Sequence, residues 1–253
     1  MSETYRIKWT FTPPDYFEES IHLKYDDIEL WIEEGEIKAE LVEDEYGKVK
    51  IVREKLHESL NNRFLGVQVI THKPYELSKA SIESLNPDGG VILYAEANIG
   101  GTSFMSSTGF TLVAGDGNII VDKRKERIEK IYNFADLVEK YKGTDAVVDS
   151  IVLSYHNAVE DPDNELVHLY EIRDALQTKF GGKESTKDCL NISNSNWQRF
   201  GELTCVEPLN QGRHRGQHPG NLRDATQEEL KEARKIAQEM IESYLGYLEN
   251  QHS

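Results

Sequence analysis

Short segments in which apolar and polar residues alternate dominate the first 120 residues of the chain. They are rich in β-branched and aromatic residues, and this pattern is typical of half-buried strands. The turn signals Asp26-Asp27 and Glu34-Gly35-Glu36 separate three of them and favour an antiparallel meander. Apolar residues at three- and four-residue steps, Val49, Val52, Leu56 and Leu60, predict one helix in this region. The predicted strands are 5–11, 21–25, 28–32, 36–42, 64–72, 90–99, 109–115 and 118–121.

Beyond Asp122 the apolar positions change to a helical period. Gly181-Gly182 is a typical end for the third of these helices, and Thr226 with Glu229 forms a capping box at the start of the last. The sequence therefore predicts an α+β protein: a mixed β-rich domain at 1–122, a helical connector at 123–144 and an α-helical bundle at 145–253. The first three apolar stripes are Ile128, Ile131, Ala135 and Val138; Val148, Ile151, Val152, Tyr155 and Val159; and Leu166, Leu169, Ile172, Leu176 and Phe180. A shorter helix is predicted near 196–206, and the last carries Leu230, Ala233, Ala237, Met240, Tyr244 and Tyr247.

Composition narrows the classes of function that fit. Lys and Arg total 29 against 45 Asp and Glu, a net charge of −16, which argues against broad binding of nucleic acid but permits a small local site. No apolar run reaches the roughly 20 residues of a membrane helix, and the first residues lack the apolar core of a signal peptide. Cys189 and Cys205 do not form a CxxC pair. We therefore expect a cytoplasmic protein without a disulfide framework.

Two glycine-containing segments resemble nucleotide-binding loops only superficially, because each lacks a feature that such a loop requires. GGKESTKD (181–188) lacks the first glycine of a phosphate loop, and Glu184 stands where a magnesium-binding hydroxyl is required, so we predict a helix-ending turn. The stretch 97–110 lacks the strand-then-helix setting of a dinucleotide-binding loop, and we predict a plain loop or hairpin connection.

The stretch NQGRHRGQHPG (210–220) differs from the rest of this acidic chain. Residues 208–223 contain no acid, yet they hold three arginines and two histidines, and three glycines frame the basic residues. His214 and His218 have a spacing that zinc could use, but Gly216 and Pro219 disfavour a helix and no third ligand is close, so we expect no metal and no cofactor.

Arg213 and His218 form an Arg-x4-His pair within this stretch. The spacing alone is uninformative, because it also arises by chance in a chain with this many arginines and histidines. The surroundings of the pair are more informative than its spacing, since it lies between two predicted helices and residues 208–223 contain no acid. An arginine offers forked donors to phosphate, and a histidine titrates near neutral pH and can transfer protons.

With this motif in a helical domain, the region 145–250 resembles the HEPN superfamily, whose small bundles often carry an Arg-x4–6-His motif with a polar residue after the arginine. The resemblance implies a metal-independent endoribonuclease of a toxin or anti-phage type, with a site formed where two bundles meet in a homodimer. Arg213 would hold phosphate, His218 would act as general base or acid, and His214 would be an auxiliary catalytic contact. Asn210 and Arg215 are the candidate substrate-binding residues.

A second hypothesis from another class stays open. The chain would then be a non-catalytic protein that dimerises through its helical domain or binds a nucleotide there. In either case the N-terminal domain is expected to sense a signal or to bind a protein partner. The enzyme hypothesis expects Arg213 and His218 to share a cleft on the dimer axis without carboxylate partners, whereas the second hypothesis expects them in salt bridges on an outer face.

Overall fold

A computed structural model of the chain describes residues 3–25, 28–85, 91–94, 111–113, 119–217 and 220–252. These residues form an α+β protein, with an antiparallel sheet toward the N-terminus and helices toward the C-terminus. Two compact units can be distinguished: a sheet unit, Met1–Phe64 with Tyr75–Lys130, and a helical unit, Leu65–Pro74 with Ile131–Ser253. The domain limits expected at 122 and 144 stay predictions. The helices Tyr46–Thr71 and Lys123–Tyr141 each contribute residues to both units.

Seven of the described strands form one antiparallel sheet in the order β2-β3-β4-β1-β6-β7, with β5 pairing the far end of β1. Burial alternates along β1, where Ile7 and Trp9 face the core and Arg6 and Lys8 lie on the other face. The first four predicted strands are therefore confirmed. The strands are β1 Glu3–Thr12, β2 Ile21–Tyr25, β3 Ile28–Glu33, β4 Glu36–Glu43, β5 Glu76–Leu77, β6 Ser81–Leu85 and β7 Val91–Tyr94, with β8 Thr111–Val113 and β9 Ile119–Asp122 as a separate pair.

Of the four strands predicted beyond residue 60, three are confirmed where the structure describes them. The described parts of 90–99, 109–115 and 118–121 are strands, as β7, β8 and β9. The loop predicted at 97–110 lies outside the described residues. The short strands β5 and β6 were not predicted from the pattern.

The strand predicted at 64–72 is wrong, because helix α1 runs from Tyr46 to Thr71 and includes this segment. Its residues 62–69 are all buried, including the polar Asn62, Arg63 and Gln68, so the segment has no exposed side and carries no helical stripe. A short apolar run of this kind cannot be told from a strand by periodicity alone. Gly66 supports the close helix packing here, because a Cβ on it would lie 2.6 Å from the Cα of Ala135 on the next helix.

An aromatic cluster fills the core of the sheet unit. Phe64 stacks on Tyr16 with ring centroids 5.1 Å apart, and it meets Phe11 and Phe17 edge to face. The buried Tyr16 hydroxyl donates to the Phe64 carbonyl at 2.9 Å, so its polar end is satisfied. This cluster packs α1 against the sheet at the helical turn that contains Phe64.

Most residues of the predicted apolar stripes are buried in helices, while Phe180 and Tyr247 are partly exposed, so the helices on which the stripes were placed are confirmed. The turn predicted at 181–188 is confined to Gly181 and Gly182, and residues 183–190 form a further helix. Gly181 ends α4 in the left-handed conformation, with φ 75°, as its position predicted. The capping box is also confirmed, because the Thr226 amide donates to Glu229 at 2.8 Å and the Glu229 amide donates back to Thr226 at 3.2 Å. The helices are α2 Lys123–Tyr141, α3 Ala146–Glu160, α4 Glu165–Phe180, α5 Lys183–Leu190, α6 Asn194–Gly201 and α7 Gln227–His252.

Candidate functional site

The basic stretch lies in the connection between α6 and α7 of the helical unit. A π-helical segment, Glu202–Val206, continues α6, and the chain then turns through a short 3₁₀ helix, Arg215–Gln217. π-Helical turns of this kind occur frequently at functional sites. The basic stretch thus lies on a loop that contains one 3₁₀ turn and follows the π-helical end of α6.

Backbone hydrogen bonds hold this loop closed. The Asn210 amide donates to the Arg223 carbonyl at 2.8 Å, and the Arg223 amide donates to Pro208 at 3.0 Å. The Arg213 amide donates to the Thr204 carbonyl of the π-helical segment at 3.1 Å, and the side chain of Leu209 is buried. The backbone of Arg213 is therefore fixed relative to the end of α6.

Arg213 places its guanidinium over an aromatic ring. Its Cζ lies 4.4 Å from the centroid of Tyr170 on α4, within the range of a cation–π interaction. One carboxylate contact is also made, from Nη1 to Asp174 Oδ2 at 3.4 Å, and both side chains are about half exposed. An ion pair this long and this exposed contributes little, so the other N–H groups of Arg213 remain available to a phosphate.

Arg173, one residue before Asp174, is the most unusual cation near the loop. It is half-buried, its Cζ lies 4.5 Å from the ring of Trp197, and it donates to Gln177 Oε1 at 3.2 Å. Within the described part of the chain it forms no ion pair with a carboxylate. Burial lowers the pKa of the Arg173 guanidinium, although an arginine stays protonated in proteins.

Gly201 makes room for this arrangement. A Cβ on residue 201 would lie 2.4 Å from Arg173 Nη1, closer than side-chain contacts allow. The end of α6 therefore needs a glycine for Arg173 to reach the face of Trp197.

The four side chains Arg213, Tyr170, Arg173 and Trp197 form what we call the arginine–aromatic row. Tyr170 links the two arginines, since Arg173 Cζ lies 5.8 Å from its ring. Burial raises the pKa of the Tyr170 hydroxyl, and nearby Asp174 adds to the rise. The row contains two cations, Arg213 and Arg173. The indole N–H of Trp197 is buried and has no hydrogen-bond partner in the described structure.

The other sequence-predicted residues have different surroundings. Asn210 donates to Asp224 Oδ1 at 2.7 Å across the loop. Arg215 donates to the Gly212 carbonyl at 2.9 Å and also to Asn164 Oδ1, on the turn before α4. The strongest donors of both side chains thus stabilise the loop itself.

The two histidines can be placed only in part. His214 follows Arg213 directly and is partly exposed, and its carbonyl accepts from the Gln217 amide at 2.9 Å. His218 and Pro219 lie outside the described residues. The structure therefore places Arg213 in the row and His214 next to it in the chain, while the Arg213–His218 pair stays a prediction.

Sequence reasoning missed Tyr170, Arg173 and Trp197. A signal was present in α4, where Tyr170, Arg173, Asp174 and Gln177 follow a spacing of three, four and seven residues. That spacing puts one polar and aromatic stripe on the helix face beside the buried leucines. Only the fold shows that this stripe meets the basic loop.

A second polar cluster in the helical unit is buried. Glu165 is almost fully buried and accepts from Arg234 Nε at 2.5 Å and from Arg234 Nη2 at 2.7 Å. His72 lies at the edge of this pair, with Nε2 3.9 Å from Glu165 Oε1, and Gln238 donates to the hydroxyl of the buried Tyr155 at 3.0 Å. Burial lowers the pKa of His72 to about 4 and Arg234 adds to the fall, so the imidazole is neutral at pH 7 and the contact with Glu165 is not then an ion pair. These hydrogen bonds join α3, α4 and α7 to one another.

Within the described ranges, no group of three or more His, Cys, Asp and Glu side chains could hold a metal ion. No helix in the described part of the chain combines the length and the apolar composition needed to cross a membrane. Comparison of the chain with protein-family models, with curated proteins and with solved structures gives no match.

Proposed function

We propose that the helical unit is a HEPN-like, metal-independent endoribonuclease that binds single-stranded RNA at the arginine–aromatic row. The observation that supports this most is the position of Arg213, stacked on Tyr170 beside Arg173, which forms no ion pair with a carboxylate among the described residues. Proteins that bind single strands combine positive charge with stacking surfaces, and bases stack on aromatic rings and on guanidinium planes. Two stacked arginines on an otherwise acidic chain fit a small cleft of this kind.

Each residue has a distinct role in this proposal. Arg213 directs its forked N–H groups to the phosphate and stabilises the negative charge that develops during cleavage. His218 removes the proton of the attacking 2′-hydroxyl or protonates the leaving oxygen, and His214 is an auxiliary contact. Arg173 contacts a neighbouring nucleotide, and the buried Trp197 ring holds the Arg173 guanidinium in place. Asn210 and Arg215 support the loop through their internal hydrogen bonds.

The wider setting belongs to the same proposal. The helical unit would form a homodimer, so that two copies of Arg213 and His218 meet around one phosphodiester. The sheet unit would sense a signal or a protein partner. A cytoplasmic location fits the two cysteines, both of which are free thiols.

The test measures binding and cleavage separately. Purified protein is mixed with a labelled single-stranded RNA in EDTA, and fluorescence anisotropy reports binding while gel electrophoresis reports cleavage. Arg213→Ala should weaken binding about tenfold, as expected for a lost phosphate contact of 1–2 kcal/mol, and should reduce cleavage further. His218→Ala should abolish cleavage and leave binding within about twofold.

Arg199→Ala is the matched control, because Arg199 lies on α6 but pairs with Glu232 and Glu202. It should bind and cleave as the unchanged protein does. If the unchanged protein, Arg213→Ala and His218→Ala all degrade RNA at the same rate, a contaminating nuclease is responsible and the catalytic proposal fails.

One observation favours the second candidate, a non-catalytic protein that dimerises or binds a nucleotide. Arg213 has a carboxylate partner in Asp174, and such a contact fits a structural surface as well as a substrate site. In that case Asp174→Asn would leave RNA binding unchanged. If the row binds RNA, the same substitution should strengthen binding, since it removes a negative charge beside Arg213.

A further inference from the structure

A small cleft in the sheet unit brings together two cations and a histidine. Its lining includes Arg53, Glu54 and His57 from α1 and Lys79 and Ala80 from the connection between β5 and β6, and its volume is about 230 Å³. This is smaller than the roughly 300–1,000 Å³ of sites for drug-sized ligands. The cleft therefore suits a small molecule.

An irregularity in the sheet creates one wall of the cleft. Lys8 on β1 pairs with Ser81, and Phe11 pairs with Leu77, so two residues of β1 face the three residues 78–80. The Ser78 side chain takes part in the ladder, since its Oγ accepts from the Thr10 amide at 2.8 Å. A bulge of this type redirects side chains out of the regular alternation. Here it accompanies an exposed lysine directly after Ser78.

Trp9 determines which nitrogen of His57 can donate. The Trp9 indole N–H lies 3.2 Å from His57 Nδ1. An indole nitrogen is only a donor, so Nδ1 must accept, and the neutral imidazole carries its proton on Nε2. Burial of the ring lowers the pKa of His57 and so favours this neutral form. His57 therefore offers an Nε2–H group as a hydrogen-bond donor.

The charges of the lining favour an anion. Lys79 is exposed and has no ion pair in the described structure. Arg53 directs Nε and Nη2 to one oxygen of Glu54. Arg53 Nη1 has no hydrogen-bond partner among the described residues. Glu54 is 66% exposed, so this ion pair is worth little and an incoming anion can replace it.

From these contacts we propose that the cleft lined by Arg53, His57 and Lys79 binds a small phosphate-bearing molecule. A guanidinium fork, an ammonium group and an imidazole N–H supply the donors that a phosphate group needs. Ala80 is buried and supplies an apolar surface beside them. The proposal is independent of RNA cleavage by the helical unit.

The experiment follows the indole of Trp9 during a phosphate titration. The chain has three tryptophans, so a nitrogen–proton spectrum shows three indole signals, and Trp9→Phe identifies the one from Trp9. Inorganic phosphate and glycerol 3-phosphate are added separately to the full chain, at an ionic strength held constant with sodium chloride. The Trp9 signal should shift and saturate with both ligands. Tighter binding of glycerol 3-phosphate would identify an organic phosphate as the ligand, and equal binding would identify free phosphate.

Matched variants separate this site from general charge effects. Lys79→Gln and Arg53→Gln should each weaken phosphate binding about tenfold, because each removes a charged donor. Lys55→Gln removes a charge from the same helix at an exposed residue that is not part of the lining, and it should bind as the unchanged protein does. The proposal is overturned if the Trp9 signal does not saturate, or if Lys79→Gln and Lys55→Gln bind phosphate equally.

Discussion

His72 should make the helical unit less stable in mild acid. The residue follows α1 with φ 53°, its side chain is 19% exposed, and its buried Nδ1 has no hydrogen-bond partner within the described structure. Burial lowers its pKa from 6.5 to about 4. The unfolded chain therefore binds a proton on His72 at pH values where the folded chain does not. The stability that the folded chain has with neutral His72 is therefore fully present above pH 6.5, and it is lost as the pH falls toward 4.

The size of the effect follows from these two pKa values. At pH 5 the unfolded residue is almost fully protonated, whereas the folded residue is about one-tenth protonated. Relative to pH 7, this difference lowers the free energy of unfolding by about 2 kcal/mol. Partial exposure of the ring to water reduces the value, so we expect a loss of about 1–2 kcal/mol from His72.

His72→Asn removes the imidazole and keeps a residue type that tolerates positive φ. Urea unfolding is followed by circular dichroism at pH 7 and pH 5 for both proteins. The variant should lose about 1–2 kcal/mol less between the two pH values than the unchanged protein. Burial also lowers the pKa of His57 and of His156, and these contributions are common to both proteins and cancel in the comparison. Equal losses in the two proteins would refute the reasoning.

Three further substitutions test the packing. Gly66→Ala should lower the free energy of unfolding by about 1–3 kcal/mol, because its Cβ would meet the backbone of the next helix at 2.6 Å. Gly47→Ala in the same helix has open space around the new Cβ and should be neutral or stabilising. Similar urea midpoints for the two variants would contradict this. Gly201→Ala should displace the flexible end of Arg173 with little loss of stability, and unchanged tryptophan emission would argue against that displacement. Thr226→Ala should cost about 1 kcal/mol through loss of the cap on α7, and an unchanged melting temperature would show that the cap contributes nothing.

The sequence alone determined the features that depend on local chemistry. The alternating positions of β1 to β4 specify which face of each strand is buried, and the apolar stripes of α2, α3, α4 and α7 specify the buried helix faces. The caps at Gly181 and Thr226 involve residues a few positions apart. Each of these signals acts within one element, so the α+β class could be predicted before any contact was known.

Tertiary structure decided what depends on neighbours distant in the chain. Residues 64–69 belong to a helix that is buried on all sides at this point, a property that their own sequence does not reveal. The basic loop was identified from sequence, but its contact with Tyr170 and the adjoining position of Arg173 over Trp197 join residues 24 to 43 positions apart. The cleft beside Lys79 likewise required a bulge opposite β1. Local patterns fix secondary structure, whereas a site forms only where packing brings separate elements together, because the contacts that define it have no local signature.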